Sequence, residues 1–147
     1  MTNFTVVLGI TSDGSKLPPM VIFKRKNMPK ENFPSGINIQ VNEKGWMNQH
    51  VMQIWLKEIW LKRKQSFFNP KSMLIMDSCR AHLTDDVKNL VSKYSTMAII
   101  PGGLTKKSQP LVPIKKNWIA ILGLLLKRLL RKSHVLLNVH QKIVLPW

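Results

Sequence analysis

The chain has 147 residues, with 23 Lys and Arg against 7 Asp and Glu and a formal net charge of +16, well beyond the roughly 2 to 8 units that keep a small domain soluble. No acid follows Asp86 while eleven basic residues do, an asymmetry that points to a polyanionic partner, with nucleic acid first and anionic membrane second. A single cysteine, Cys79, excludes an internal disulfide and fits a reducing compartment, and the length suits one domain able to bury about 68 to 70% of its unfolded surface.

Residues 4–10 (FTVVLGI) are apolar and β-branched, Ser12, Asp13 and Gly14 supply turn chemistry, and residues 20–23 (MVIF) follow as a second apolar run delayed by Pro18 and Pro19. The pattern predicts a β-hairpin, with Asp13 serving the turn rather than chemistry. Lys24, Arg25 and Lys26 close the second strand; they read as a solvated strand end, as a phosphate contact, or as part of a nuclear import signal. After Pro29, Pro34 and Gly36, residues 37–41 alternate in polarity and predict a half-exposed strand. Met52, Trp55, Leu56, Ile59 and Trp60 recur at helical spacing and predict a helix from about Trp46 to Arg63. Its tryptophans read as core rather than as stacking platforms, and Lys57, Lys62, Arg63 and Lys64 are placed on or beside its solvated side.

Residues 73–76 have the length of a buried strand and end on Asp77. Thr84 predicts a helix N-cap, Asp85 and Asp86 then complement the dipole in the first turn, and Val87, Leu90, Val91 and Tyr94 form the apolar face. Residues 97–100 follow as a strand stopped by Pro101, Gly102 and Gly103. Strand, helix, strand implies a parallel pair, with the end of the second strand beside Asp77. A carboxylate leaving the carboxyl end of such a strand points into the crevice where open α/β sheets bind ligands and metals; it equally reads as a local turn cap bonded to Ser78 and Arg80. His82 reads as a structural histidine, with a metal-side or proton-transfer role as the lesser alternative. Cys79 reads as a small buried residue.

Residues 74–85 (LIMDSCRAHLTD) resemble the central motif of the DDE-superfamily transposases of the pogo, Tigger and jerky type, a group that includes centromere protein B-like proteins. Residues 9–24 (GITSDGSKLPPMVIFK), 41–47 (VNEKGWM), and 100–105 (IPGGLT) with Gln109, Pro110 and Leu111 resemble successive blocks of that family in its order. The resemblance covers about residues 1–117. It implies an RNase H-like α/β domain in which three acids from separate parts of the chain hold magnesium or manganese for DNA strand cleavage and transfer. Two such ions about 3.5 to 4 Å apart stabilise the attacking and leaving oxygens of a phosphodiester. Asp77 matches the middle acid, as catalytic residue and metal ligand. The first acid is expected on a strand preceding Phe4, where this chain has no matching residues, and Val112 stands where the family has the third aspartate.

Beyond Val112 the resemblance fades. Residues 118–126 form a run of nine, too short for the roughly 20 residues that span a bilayer. Leu122, Leu125, Leu126, Leu129 and Leu130 share a face opposite Lys127, Arg128, Arg131 and Lys132, predicting a basic amphipathic helix.

The fold expected is therefore an incomplete RNase H-like mixed sheet with flanking helices over 1–117, lacking its first strand, followed by a divergent basic amphipathic C-terminal segment over 118–147. The function expected is a transposable-element-derived DDE domain that keeps largely non-specific DNA binding and has lost catalysis, with Lys24, Arg25, Lys26, Arg80, Lys106 and Lys107 as candidate phosphate contacts and little magnesium or manganese bound. Two alternatives stand beside it: a metal-dependent endonuclease completed by upstream sequence or a partner, and a membrane-surface or structural protein acting through residues 118–137. Without a secretory signal, the basic clusters imply the nucleus. An open sheet edge along residues 4–10 implies self-association.

Overall fold

The computed structural model describes residues 4–30, 32–63 and 72–103, together with the backbone of residues 137–145. Six strands order as β3, β2, β1, β6, β4, β5 in a mixed sheet, with β1 at Phe4–Leu8, β2 at Met20–Lys24, β3 at Asn38–Asn42, β4 at Ser72–Asp77, β5 at Ser95–Ile100 and β6 at Leu137–Leu145. The predicted hairpin forms: β1 and β2 are antiparallel with Phe4 opposite Phe23 and Val7 opposite Met20. Its turn is closed by Asp13, which accepts from the backbone N–H of Ser15 at 2.9 Å and from the hydroxyls of Thr11 and Ser15, while Gly14 supplies the positive φ. β3 pairs parallel to β2 and is half-buried throughout, as its alternation implies.

The block VNEKGWM proves to be architecture. The Asn42 carboxamide oxygen accepts from the backbone N–H groups of Lys44 at 3.1 Å and Gly45 at 2.6 Å, and its amide donates to the Trp46 carbonyl at 2.8 Å. Gly45 sits at φ +67°, and a β-carbon there would lie 2.9 Å from the Lys24 backbone nitrogen. Only glycine allows this approach, which also lets Thr5 donate to the Gly45 carbonyl at 2.7 Å from inside the core.

The predicted long helix is shorter and changes pitch. Asn48 caps helix α1 (Gln49–Trp55) by accepting from Val51 N–H at 2.8 Å, and Leu56–Trp60 continues as a π-helix whose wider turn is closed by Leu61 N–H donating to the Leu56 carbonyl at 2.9 Å. Met52, Trp55, Leu56, Ile59 and Trp60 are all buried against Val7, Met20, Ile22, Leu74 and Met76 of the sheet. Truncating a tryptophan in this layer to alanine would cost about 3 to 5 kcal/mol. The opposite sheet face packs Phe4, Val6, Leu8, Val21 and Phe23 with Phe33, Ile37, Ile39 and Val41. Arg63, expected near solvent, is instead 9% exposed. It stacks on the Trp60 ring, with its guanidinium carbon 3.3 Å from the ring centroid, and its polar atoms find buried acceptors; burial lowers its pKa.

Helix α2 (Asp85–Ser92) has Asp85 and Asp86 in its first turn and buries Val87 and Val91, as its spacing requires. Thr84 occupies the N-cap position, but its hydroxyl makes no cap bond. Tyr94 is exposed rather than on the apolar face, because the helix ends at Ser92 and Tyr94 lies in the turn before β5. β4 and β5 pair parallel with Asp77 opposite Ile100, the juxtaposition expected from strand, helix, strand.

The C-terminal part corrects one expectation. β1 is not an open edge: β6 runs parallel to it, with Phe4 opposite Leu137 and Leu8 opposite Gln141, and antiparallel to β4. Every β1 residue is buried, as an interior strand must be, and the sheet edges are β3 and β5. Residues 137–145, expected as part of the basic amphipathic segment, form this strand instead. The predicted helix over 118–132 and the boundary at residue 117 lie outside the described residues.

Candidate functional site

The last residue of β4 starts a tight return. Asp77 Oδ1 accepts from Cys79 N–H at 3.2 Å, Cys79 leads into one 3₁₀ turn at Arg80–His82, and the Cys79 carbonyl accepts from His82 N–H at 2.8 Å. This folds the imidazole back over the strand end. His82 is fully buried, with Nδ1 2.9 Å from Asp77 Oδ1 and 3.0 Å from the Asp77 carbonyl. Its Nε2 makes no hydrogen bond with any described residue. Asp77 keeps 20% of its side chain exposed and Cys79 is half-buried, so the cluster opens to solvent on one side. Ligand-capable atoms of Asp77, Cys79 and His82 all lie within 4.8 Å of one another, the one such trio among the described residues. Asp77 thus caps a turn through Cys79 N–H, where bonds to Ser78 and Arg80 were expected, and stands at a strand end partly open to solvent. The D-x-C-x-x-H spacing was the available signal for the trio, since one 3₁₀ turn stacks residues three apart.

Asp85 and Asp86 are engaged elsewhere. The Asp86 carboxylate accepts from Gln49 at the start of α1, and Asp85 lies 3.9 Å from Lys88 on its own helix.

The basic candidates divide. Arg80 is exposed in the turn that carries the trio. Lys24 and Lys26 are exposed and Arg25 is half-buried, its backbone N–H donating to the carbonyls of Phe23 at 3.0 Å and Asn42 at 3.1 Å. β2 and β4 run in the same direction, but their ends are staggered. Asp77 is one step past the Met76–Lys142 pair and hence level with Leu8–Gln141, whereas Lys24 is one step past the Phe23–Phe4 pair. That offset of five residues is about 17 Å along the strands, with three interstrand spacings, about 14 Å, across them. Lys24 to Lys26 and Arg80 therefore form separate positive points on one side of the sheet, not one cluster. Lys106, Lys107 and Val112 lie outside the described residues.

The fold is a mixed α/β sheet with a carboxylate at the end of an interior strand and a parallel neighbour beside it, the kind of position where open α/β sheets place ligand-binding groups. The family model of the DDE superfamily endonuclease matches residues 1–113, and the chain belongs to that family. It is 43% identical over 110 residues to the human protein called Pogo transposable element with KRAB domain, and 42% identical over 110 residues to the mouse protein of that name. Each of those matches covers 74% of this chain and 18% of the relative. It is 35% identical over 114 residues to the human Pogo transposable element with ZNF domain, covering 76% of this chain and 8% of the relative. The chain thus spans less than a fifth of the length of these relatives. No solved structure matches it.

The family implies a divalent metal. Magnesium takes near-octahedral oxygen coordination, commonly one or two carboxylates with substrate phosphates. The trio offers one carboxylate, a thiol and an imidazole, a donor set that does not suit magnesium.

Proposed function

We propose that this chain is a transposase-derived, RNase H-like DDE domain that binds DNA through its charge and does not cut it unaided. The observation that carries the reading is family membership combined with a net charge of +16. Exposed Lys24, Lys26 and Arg80 supply phosphate contacts on the side where β2 and β4 end, joined by Arg25, Lys106 and Lys107. Contacts of this kind fix position without reading bases, so binding is largely independent of sequence. The nucleus is the compartment in which a DNA-binding member of this family would act. The loss of cleavage rests on the donor set at Asp77 and on Val112 in place of an aspartate. Forfeiting even about 5 kcal/mol of transition-state stabilisation lowers a rate by more than about a thousandfold.

Titration of a fluorescent duplex tests the binding. Affinity is expected to fall by about a thousandfold or more between about 50 and 200 mM salt if some six phosphates are engaged, and to be nearly equal for unrelated sequences. Salt-insensitive binding, or none at low salt, overturns it. A nicking assay on supercoiled plasmid with magnesium or manganese tests the second half. No nicking above background is expected, and nicking that disappears in Asp77→Ala would establish instead an endonuclease whose further carboxylates come from elsewhere.

A further inference from the structure

We propose that Asp77, Cys79 and His82 form a binding site for a transition-metal dication of the zinc class. The site is distinct in chemistry from the all-oxygen magnesium centre that the family implies, and it stands apart from the DNA-binding reading.

The geometry is built in. Asp77 ends a strand held on both sides, by β5 and β6, and the Cys79 to His82 backbone hydrogen bond fixes the return of the chain. Around a tetrahedral ion with bonds of about 2.0 to 2.3 Å, neighbouring donors sit about 3.3 to 3.5 Å apart. The trio lies within 4.8 Å, so the widest separation closes by at most about 1.5 Å while the Asp77–His82 contact at 2.9 Å opens by a few tenths. Thiolate and imidazole donors select zinc-like ions over magnesium. Three protein donors leave the fourth position to water from the exposed side, as in open zinc sites.

On binding, the Cys79 thiol gives its proton to solvent and its sulfur forms a bond to the metal; the imidazole, whose Nδ1 faces the Asp77 carbonyl and carboxylate as a donor before the metal enters, moves its ring proton to Nε2 and offers the Nδ1 lone pair, and the Asp77 carboxylate supplies oxygen. Thiolate and carboxylate together neutralise the dication. The competing use of the same residues, a cysteine nucleophile activated by histidine, needs one imidazole nitrogen on the acid and the other on the thiol. Here Nδ1 faces Asp77 while Nε2 makes no hydrogen bond among the described residues, which favours the metal.

Cobalt(II) added to the full chain reads the site directly. The expected result is a thiolate-to-cobalt charge-transfer band with intense visible bands of a four-coordinate ion, saturating at one cobalt per chain, bleached by zinc and untouched by a large excess of magnesium. Cys79 is the only thiol, so a spectrum without charge transfer reports other histidines and overturns the proposal. Cys79→Ser is expected to lose the charge-transfer band entirely, with unchanged far-ultraviolet circular dichroism and unchanged DNA affinity. Asp77→Asn keeps the buried His82 in place and is expected to shift the visible bands and weaken cobalt binding. A spectrum and affinity unaltered by Asp77→Asn, or one cobalt per two chains, would mean that Cys79 binds without the trio and would also overturn it.

Discussion

Strands β4 and β5 carry a polar cluster at each end, and the two clusters differ in how they are closed. At the amino ends, Ser72 and Ser95 share a hydrogen bond at 2.8 Å, Trp60 Nε1 donates to Ser95 at 3.0 Å, and Arg63 donates to Ser72 at 2.8 Å and to the Trp60 carbonyl at 2.7 Å. Each of these groups is buried and has a partner. At the carboxyl ends, Asp77, Cys79 and His82 converge with one imidazole nitrogen unbonded among the described residues and one side open to solvent. A closed network fixes helix to sheet; donors gathered toward an opening suit a ligand. Polarity does not separate the two ends, since both hold titratable side chains. The satisfaction of the polar atoms does.

Breaking the closed end should produce the largest effect. Arg63→Ala removes a stacked guanidinium and takes one buried hydrogen-bond partner each from the Ser72 hydroxyl and the Trp60 carbonyl, and a loss of about 2 to 3 kcal/mol is expected in urea unfolding. A loss below the scatter of surface substitutions would show that the network is ornamental. Ser95→Ala comes next. It leaves the Trp60 indole N–H buried without its acceptor, at an expected cost of about 1 to 2 kcal/mol, and the double variant with Arg63→Ala should fall short of additivity because both changes strike one network.

The smallest effect sharpens the contrast from a third position. Asp13, like Asp77, accepts from a backbone N–H two residues ahead, but all of its named partners are local and exposed, apart from the buried Thr11. The Thr11 hydroxyl first, then the Ser15 backbone and hydroxyl, hold its carboxyl below the usual 3.8. A depressed carboxylate contributes stability that is present above its unfolded pKa and is lost as pH falls through its folded pKa. Stability measured from neutral pH down through the acid range should therefore show a slight low-pH loss, and Asp13→Asn should flatten that slope without altering cobalt binding at Asp77. An unchanged slope would assign the acid sensitivity to other carboxylates.

Much of this was legible in the chain itself. Apolar runs of strand length, helical spacing of Met52, Trp55, Leu56, Ile59 and Trp60, and the punctuation by Gly14, Gly45 and Pro101 are local signals. Each reports a conformation that depends on a few neighbouring residues. The order of the motif blocks likewise identified the family and singled out Asp77.

Other features depend on residues far apart in sequence. Arg63 carries a charge that predicts solvent, and only the packing of Trp60 against Ser72 and Ser95 makes a buried guanidinium tenable. β6 is separated from β1 by more than a hundred positions, and no periodicity in residues 137–145 announces that they lie between β1 and β4. Cys79 and His82 are ordinary residues one 3₁₀ turn apart until the turn is set against the end of β4. Sequence determined the elements and the family because both are written in short stretches; strand neighbours, the burial of Arg63 and the gathering of three donors were decided by tertiary structure, because they arise from contacts that exist only once the sheet is assembled.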